Sequence, residues 1–528
     1  MSTRLVSHSR SRGSLWLPGG LAAVFVIFWT GTIPARTTAV ARPSVTPIPV
    51  TATSHPWLYY KATQRPLELD KLGFVEEEFL VSGTANVYDW PANPAANLVV
   101  KYSSASYATR ILMRRPADLS RFSGTVIVET MNPARAFDMA IVHGFLSDSM
   151  LERGDAWIGI SMPGVIESLK RFDASRYSTL TFANPAPREA VCAEGRGGRG
   201  RGAGAAAAAQ AVPVRSVIEP GLRLDAIAQI GAWARSAAGN PLGSSVRNVL
   251  LVGHTGGDVA TYVSSVGHEA RLANGKPVYD GYLAHSGSNA GALMNCGTPL
   301  PPGDMRAIPG RAGVPVIVMK TQSDLPYAGR PDSDAPDDIF RIYDIPASAH
   351  ADKWLFRYLP TVADQKKASD RLPVTDEWPF DSTCDIPDLR MNDFPQGYIV
   401  SGAVNNLERF ARDRTPLPKS ARVETETVNG TTHLRLDQYG NALGGVRSPW
   451  VDAPTGTFTA ELTGENPTCA EMVHHEVWAW HKTAEIYGTY ANYATKVNAS
   501  IDNMVRNRWI TDSAAKHIRD ELLKPVRK

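Results

Sequence analysis

The apolar run Val249-Leu250-Leu251-Val252 leads into Gly253-His254-Thr255-Gly256-Gly257, and a helix-like stretch begins at Asp258. A strand, a sharp turn and a helix, with glycines two residues either side of a hydroxyl, is an arrangement that lifts a nucleophilic oxygen clear of a sheet. Larger side chains at the flanking positions would collide with the neighbouring strand or helix. The helix that follows directs its amino terminus at the same point, so the Gly256 amide is a candidate oxyanion donor. Threonine keeps the alcohol and adds a methyl group. A β-branched residue at the positive φ that such a turn demands carries strain of about 1–3 kcal/mol, which the surrounding fold has to offset.

An alcohol of this kind needs a base, and the base needs an orienting acid. Asp324 follows the strand-like run Val316-Ile317-Val318-Met319, and His350 follows Ile342-Tyr343-Asp344. Nucleophile, acid and histidine in that chain order, each beyond a strand, would let His350 take the Thr255 proton and return it to a leaving group, with Asp324 holding the imidazolium. A second oxyanion donor is expected after the strand Val126–Glu129, near Asn132-Pro133-Ala134-Arg135. Pro133 has no N–H, which leaves the Asn132 amide, the Asn132 side chain or the Ala134 amide. This set predicts acyl transfer from a small-molecule carboxylic ester and requires no cofactor.

The elements that would carry these residues are legible as β-branched runs alternating with helical patterns. Thr125–Glu129, Ala156–Ile160, Val249–Val252, Tyr282–Ala284, Pro315–Met319 and Ile342–Asp344 read as buried strands, and their alternation with helices predicts a mostly parallel, doubly wound α/β sheet with helices on both faces. Residues 195–213 form a Gly/Ala/Arg tract that cannot pack a core. A strand-like stretch over Ala421–Leu436 and a long helical pattern over Glu471–Lys524 are expected to elaborate the core.

Further segments extend the pattern. Tyr107-Ala108-Thr109-Arg110, Phe122-Ser123-Gly124-Thr125-Val126-Ile127-Val128-Glu129, Ala156-Trp157-Ile158-Gly159-Ile160-Ser161, Arg330-Pro331-Asp332-Ser333-Asp334 and Ala347-Ser348-Ala349-His350-Ala351-Asp352 together resemble the blocks of a bacterial alpha/beta hydrolase domain family. The resemblance spans most of the chain beyond residue 56; it implies the α/β-hydrolase fold and a hydrolase ancestry, and carries the histidine role onto His350. The family's elbow resembles G-x-S-Q-S-G where this chain has Thr255, and its S-E-x-D acidic segment reads Thr321-Gln322-Ser323-Asp324 here. Asp324 is therefore the acid candidate. If the family's acid is the glutamate of that segment, both nucleophile and acid are replaced, and a catalytically inactive binding or interaction protein is the alternative.

Rival constellations are weaker. His285-Ser286-Gly287-Ser288 places serines after a strand without the glycine spacing of an elbow and reads as a turn, with Ser286 or Ser288 as a replacement nucleophile the lesser reading. His474, His475, Glu476 and His481 lack metal-ligand spacing and read as a wet helix surface. Cys192, Cys296, Cys384 and Cys469 show no CxxC pair, and four cysteines permit three pairings. At 528 residues, 43% hydrophobic, 20% charged and a net charge of +3, the composition is that of a globular protein with no nucleic-acid partner. Arg4, Arg10 and Arg12, the apolar run Leu21–Trp29 and Ala39-Val40-Ala41 predict an export signal over 1–41, or an uncleaved anchor. A Pro/Thr-rich linker over 42–56 and a hydrolase domain over 57–528 would follow, with the protein secreted or periplasmic.

Overall fold

The computed structural model describes residues 39–92, 98–133, 136–186, 191–192, 214–215, 217–255, 257–286, 294–295, 304, 313–325, 329–352, 354–355, 357–369, 392–459 and 474–524. The Gly/Ala/Arg tract 195–213, Ser288, Cys296, Cys384, Cys469 and residues 1–38 of the expected export signal lie outside them.

Ten strands form the main sheet: β1 (Ser44–Pro47), β2 (Phe74–Asp89), β3 (Val99–Pro116), β4 (Thr125–Thr130), β5 (Ala156–Ile160), β6 (Asn248–His254), β7 (Gly281–His285), β8 (Val316–Thr321), β9 (Ser333–Ala335) and β10 (Asp338–Ile345). Their order across the sheet is β1-β2-β3-β5-β4-β6-β7-β8-β10-β9. From β5 through β10 every pairing is parallel, while β1, β2, β3 and β9 join antiparallel. The parallel strands β4 to β8 are buried along their whole length. That is why their sequences are continuous apolar runs rather than alternating ones.

The chain moves from β4 to one side through α1 (Ile141–Arg153) into β5. It then crosses back through α2 (Arg223–Ala234) to β6, and goes on through α3 (Gly257–Ser264) to β7. Because parallel crossovers are right-handed, this reversal puts α1 on the opposite face from α2 and α3. The same reversal opens a crevice between the carboxyl ends of β4 and β6, the place where open α/β sheets bind ligands. A fourth helix, α4 (Gly397–Asp413), packs beside α1 and over β6 and β7.

Two expectations need correction. The segment 42–56 is not merely a linker: Ser44–Pro47 pairs with β2, and the Ile48 amide donates to Glu78 O at 2.8 Å. The open edge of a long strand captures a short extended segment despite its proline and threonine content. The pattern from Glu471 to Lys524 is not one helix. His474–Val477 is a strand paired with Gly456–Thr459, followed by α5 (Trp480–Tyr487), α6 (Tyr490–Arg506) and α7 (Asp512–Leu522). Gly488 ends α5, at φ 69°. The Ala421–Leu436 stretch does form a hairpin, Thr425–Val428 with Thr431–Leu434, closed by Asn429-Gly430 at positive φ. Among the described residues no helix is long and apolar enough to cross a membrane.

Candidate active site

Five side chains converge from the carboxyl ends of five adjacent strands. Asn132 follows β4, Thr255 follows β6, Ser286 follows β7, Asp324 follows β8 and His350 follows β10. Thr255 stands at φ 68°, the left-handed conformation that a β-branched residue resists. The close approach that requires a glycine is visible at Gly253, where a Cβ would lie 2.5 Å from Thr130 Oγ1 and 2.9 Å from Val259 Cγ2. Any larger residue would push β6 from β4 or lift α3.

The Asn132 alternatives separate on their hydrogen bonds. Its amide donates to Met139 O at 3.0 Å, closing a small loop, while its side-chain Nδ2 donates to Thr255 Oγ1 at 2.5 Å. The side chain is therefore the group that reaches the hydroxyl. Gly256 and Ala134 lie outside the described residues.

Asp324 and His350 meet directly. His350 Nδ1 lies 3.0 Å from Asp324 Oδ1 and 2.7 Å from Ser286 Oγ, and Ser286 Oγ donates to Asp324 Oδ2 at 2.7 Å. A hydroxyl has one proton to give, and here it goes to the carboxylate; the imidazole must then supply the proton at Nδ1, leaving Nε2 as its basic nitrogen. Asp324 Oδ2 also accepts from the Thr321 amide at 3.0 Å and the Thr321 hydroxyl at 2.7 Å, a capping box at the end of β8. Burial alone would raise the Asp324 pKa. The neighbouring His350 and the hydrogen bonds from His350, Ser286 and Thr321 overcome it and hold the carboxyl well below its ordinary range.

Gln322 plays a different part from Asp324. Its Oε1 accepts from the Ala347 amide at 2.6 Å and its Nε2 donates to Phe458 O at 3.1 Å, fully buried. It struts the His350 loop and touches no part of the imidazole among these bonds. A glutamate here could not donate to Phe458 O, which explains the amide.

The Asn132–Thr255 pair and the Asp324–His350 pair adjoin through His254, whose ring centroid is 4.9 Å from that of His350. Ser286 is more than a turn residue: fully buried, it binds the acid. It lies on the Nδ1 side of His350, where it cannot pass a proton to Nε2, so its position is not that of a nucleophile. The sequence signal for it was a serine one residue past β7, beside the strand that carries Thr255. Of the histidines read as a wet helix surface, His481 is exposed on α5 as that reading has it, whereas His474 and His475 lie in the strand His474–Val477. His475 is buried in its strand, stacked on Phe458 at 4.2 Å and hydrogen-bonded to Asp393 at 2.7 Å. Among the described residues no group of three or more His, Cys, Asp or Glu side chains could hold a metal ion.

A doubly wound parallel sheet with a strand–turn–helix at its switch point and a hydrogen-bonded carboxylate and histidine beyond the following strands has the architecture of an α/β-hydrolase fold. The model of the alpha/beta hydrolase domain family matches residues 44–520, and the chain belongs to that family. Among solved structures, the chain is similar to the esterase Est22 at 10% identity and a TM-score of 0.28, covering 57% of this chain and 82% of that one. It is also similar to a glucuronoyl esterase from Solibacter usitatus at 9% identity and a TM-score of 0.26, covering 53% and 68%. An alpha-beta serine hydrolase homologue from Coxiella burnetii shares 10% identity at a TM-score of 0.23, covering 45% and 82%. No curated protein matches the chain.

Proposed function

We propose that this protein is a carboxylic-ester hydrolase in which Thr255 is the nucleophile, His350 the general base and then acid, and Asp324 the residue that orients His350. The observation that carries the reading is the coincidence of two features at one sheet edge. Thr255 is held at φ 68° with its hydroxyl accepting from Asn132 Nδ2, and the adjoining His350 is committed to the tautomer whose Nε2 can accept a proton. Backbone strain of this kind persists only where the surrounding structure enforces it, and clusters at reacting groups.

In the first half-reaction Thr255 Oγ1 attacks the ester carbonyl carbon as its proton passes to His350 Nε2. The carbonyl π electrons move onto oxygen, where Asn132 Nδ2–H and the Gly256 amide stabilise the oxyanion. Collapse expels the alkoxide, which takes the proton from His350, and leaves a threonyl ester. Water, deprotonated by the same imidazole, reverses the sequence and releases the acid. The substrate is a small-molecule ester. The amino-terminal basic and apolar segment supports export of the enzyme to a secreted or periplasmic location.

Mapping a fluorophosphonate adduct on the purified protein tests the assignment. Labelling at Thr255, with hydrolysis of short acyl esters lost in Thr255→Ala, is the expected result. An unlabelled protein without turnover refers the fold to a binding role instead, and a label on Ser286 or Ser288 reassigns the nucleophile. Thr255→Ser removes the methyl that crowds the approaching acyl carbon and raises kcat.

A further inference from the structure

Behind the proposed nucleophile and base runs a second, fully internal chain of polar side chains. His254 ends β6 and His285 ends β7, and the two are register partners on adjacent strands. Their Nδ1 atoms are 3.0 Å apart. His285 Nε2 lies 3.0 Å from Gln396 Oε1, and Gln396 Nε2 donates to Ala349 O at 3.1 Å and to the Asp352 carboxylate. His285, Gln396 and Asp352 are fully buried and His254 nearly so. The chain therefore starts beside Thr255 and finishes on the two sides of His350.

Every proton in this chain is fixed by its acceptors. Gln396 must turn its NH₂ toward Ala349 O and Asp352, two groups that only accept, so its Oε1 faces His285. Burial pushes the His285 pKa down to about 4, so the ring is neutral at ordinary pH and its single proton sits on Nε2, pointing at Gln396. His285 Nδ1 is then an acceptor, and the proton in the 3.0 Å contact belongs to His254 Nδ1. That bond locks the plane of the His254 ring, which in turn forms a wall 4.9 Å from the His350 ring at an interplanar angle of 58°. Phe145 of α1 closes the other side, its ring 5.0 Å from His285 and 6.4 Å from His254.

We infer that His254, His285 and Gln396 form a positioning clamp that ties the nucleophile's elbow to the histidine loop and sets the orientation of the His350 imidazole. The inference rests on the hydrolytic role proposed for Thr255 and His350. Asp324 and Ser286 hold the Nδ1 edge of that ring, and the His254 ring, fixed by its own hydrogen bond to His285, packs beside it. A misplacement on the order of 1 Å in such a pair costs about a hundredfold in rate.

Gln396→Met keeps the length of the side chain and deletes its hydrogen bonds. The expected result is a kcat, per fluorophosphonate-titrated site, at least tenfold lower with KM within a factor of two, because substrate contacts are untouched while proton transfer is misaligned. A kcat within twofold of the parent overturns the clamp. Independently of any turnover, ¹⁵N-histidine spectra of the unmodified protein must show His285 protonated at Nε2 alone and His254 protonated at Nδ1. His285 protonated at Nδ1 overturns the clamp even if the enzyme is active, whereas the expected tautomers in a protein without esterase activity leave the clamp standing and remove only the proposed reaction.

Discussion

At the scale of single residues, His285 carries the most readable consequence. An unfolded histidine titrates near pH 6.5, whereas this one is held neutral by burial down to about pH 4. Between those values the unfolded chain binds the extra proton, so stability rises with pH across the window, is fully present above about 6.5 and is lost as pH falls through about 4. The difference corresponds to about 3 kcal/mol. Comparing urea unfolding of the parent with His285→Gln at pH 4 and pH 6.5 isolates this term from other titrating groups. The parent should gain about that much relative to the variant, and an unchanged difference would mean that His285 is charged in the folded state. The same scale explains Asp324. A carboxylate that accepts from a histidine, a serine and a threonine is an anion whose proton has nowhere better to go than the imidazole.

At the scale of elements, the amino terminus of α1 is held by a residue from the sheet instead of by a local cap. Its preceding residue Ala140 makes no side-chain cap, and the first-turn amides of Val142 and His143 donate to Glu129 of β4 at 2.8 and 2.9 Å, with the Trp157 indole adding a third bond at 2.9 Å. Desolvation pushes the Glu129 pKa up to about 7 in spite of these donors. Glu129→Ala would leave three buried donors without an acceptor at about 1–3 kcal/mol each. A loss of more than about 3 kcal/mol in denaturant unfolding is expected; a loss below 1 would show that water replaces the carboxylate. Glu129 is one of the family-like block residues, and its place in the fold is structural. It sits in the strand that leads to Asn132, so α1 and the proposed oxyanion loop share an anchor.

At the scale of the whole molecule, Arg110 of β3 gathers distant segments. Its guanidinium, fully buried, reaches Trp57 O at 3.2 Å, Glu78 of β2 at 2.6 Å, Asp138 at 3.1 Å and Ser161 Oγ at 2.9 Å, while Arg176 and Tyr177 complete the partners of Glu78. Asp138 lies at the end of the loop that carries Asn132, so the network joins the antiparallel edge of the sheet to the site. Removing one member of a buried ion cluster strands the remaining charges. Arg110→Met is expected to lower the unfolding free energy by about 3–5 kcal/mol, read from urea denaturation, and a midpoint shift too small to measure would deny the cluster that role.

The parallel strands, their order in the chain, the strand–turn–helix around Thr255 and the placement of Asp324 and His350 beyond strands were legible because each is written in a local pattern: a buried strand is a continuous apolar run, and a tight turn demands glycine at Gly253. What no local pattern encodes is which side of an imidazole a distant group touches. Only the folded sheet decides that Ser286 binds the acid, that Gln322 braces the loop beside it, that Asn132 offers its side chain to Thr255, and that His254 meets His285. Those contacts join chain-distant residues, 123 positions apart in the Asn132–Thr255 pair, and they exist because strand order places chain-distant carboxyl ends side by side. The sequence alone determined the chemistry available to this protein, and the tertiary structure decided which hydrogen bonds that chemistry can use.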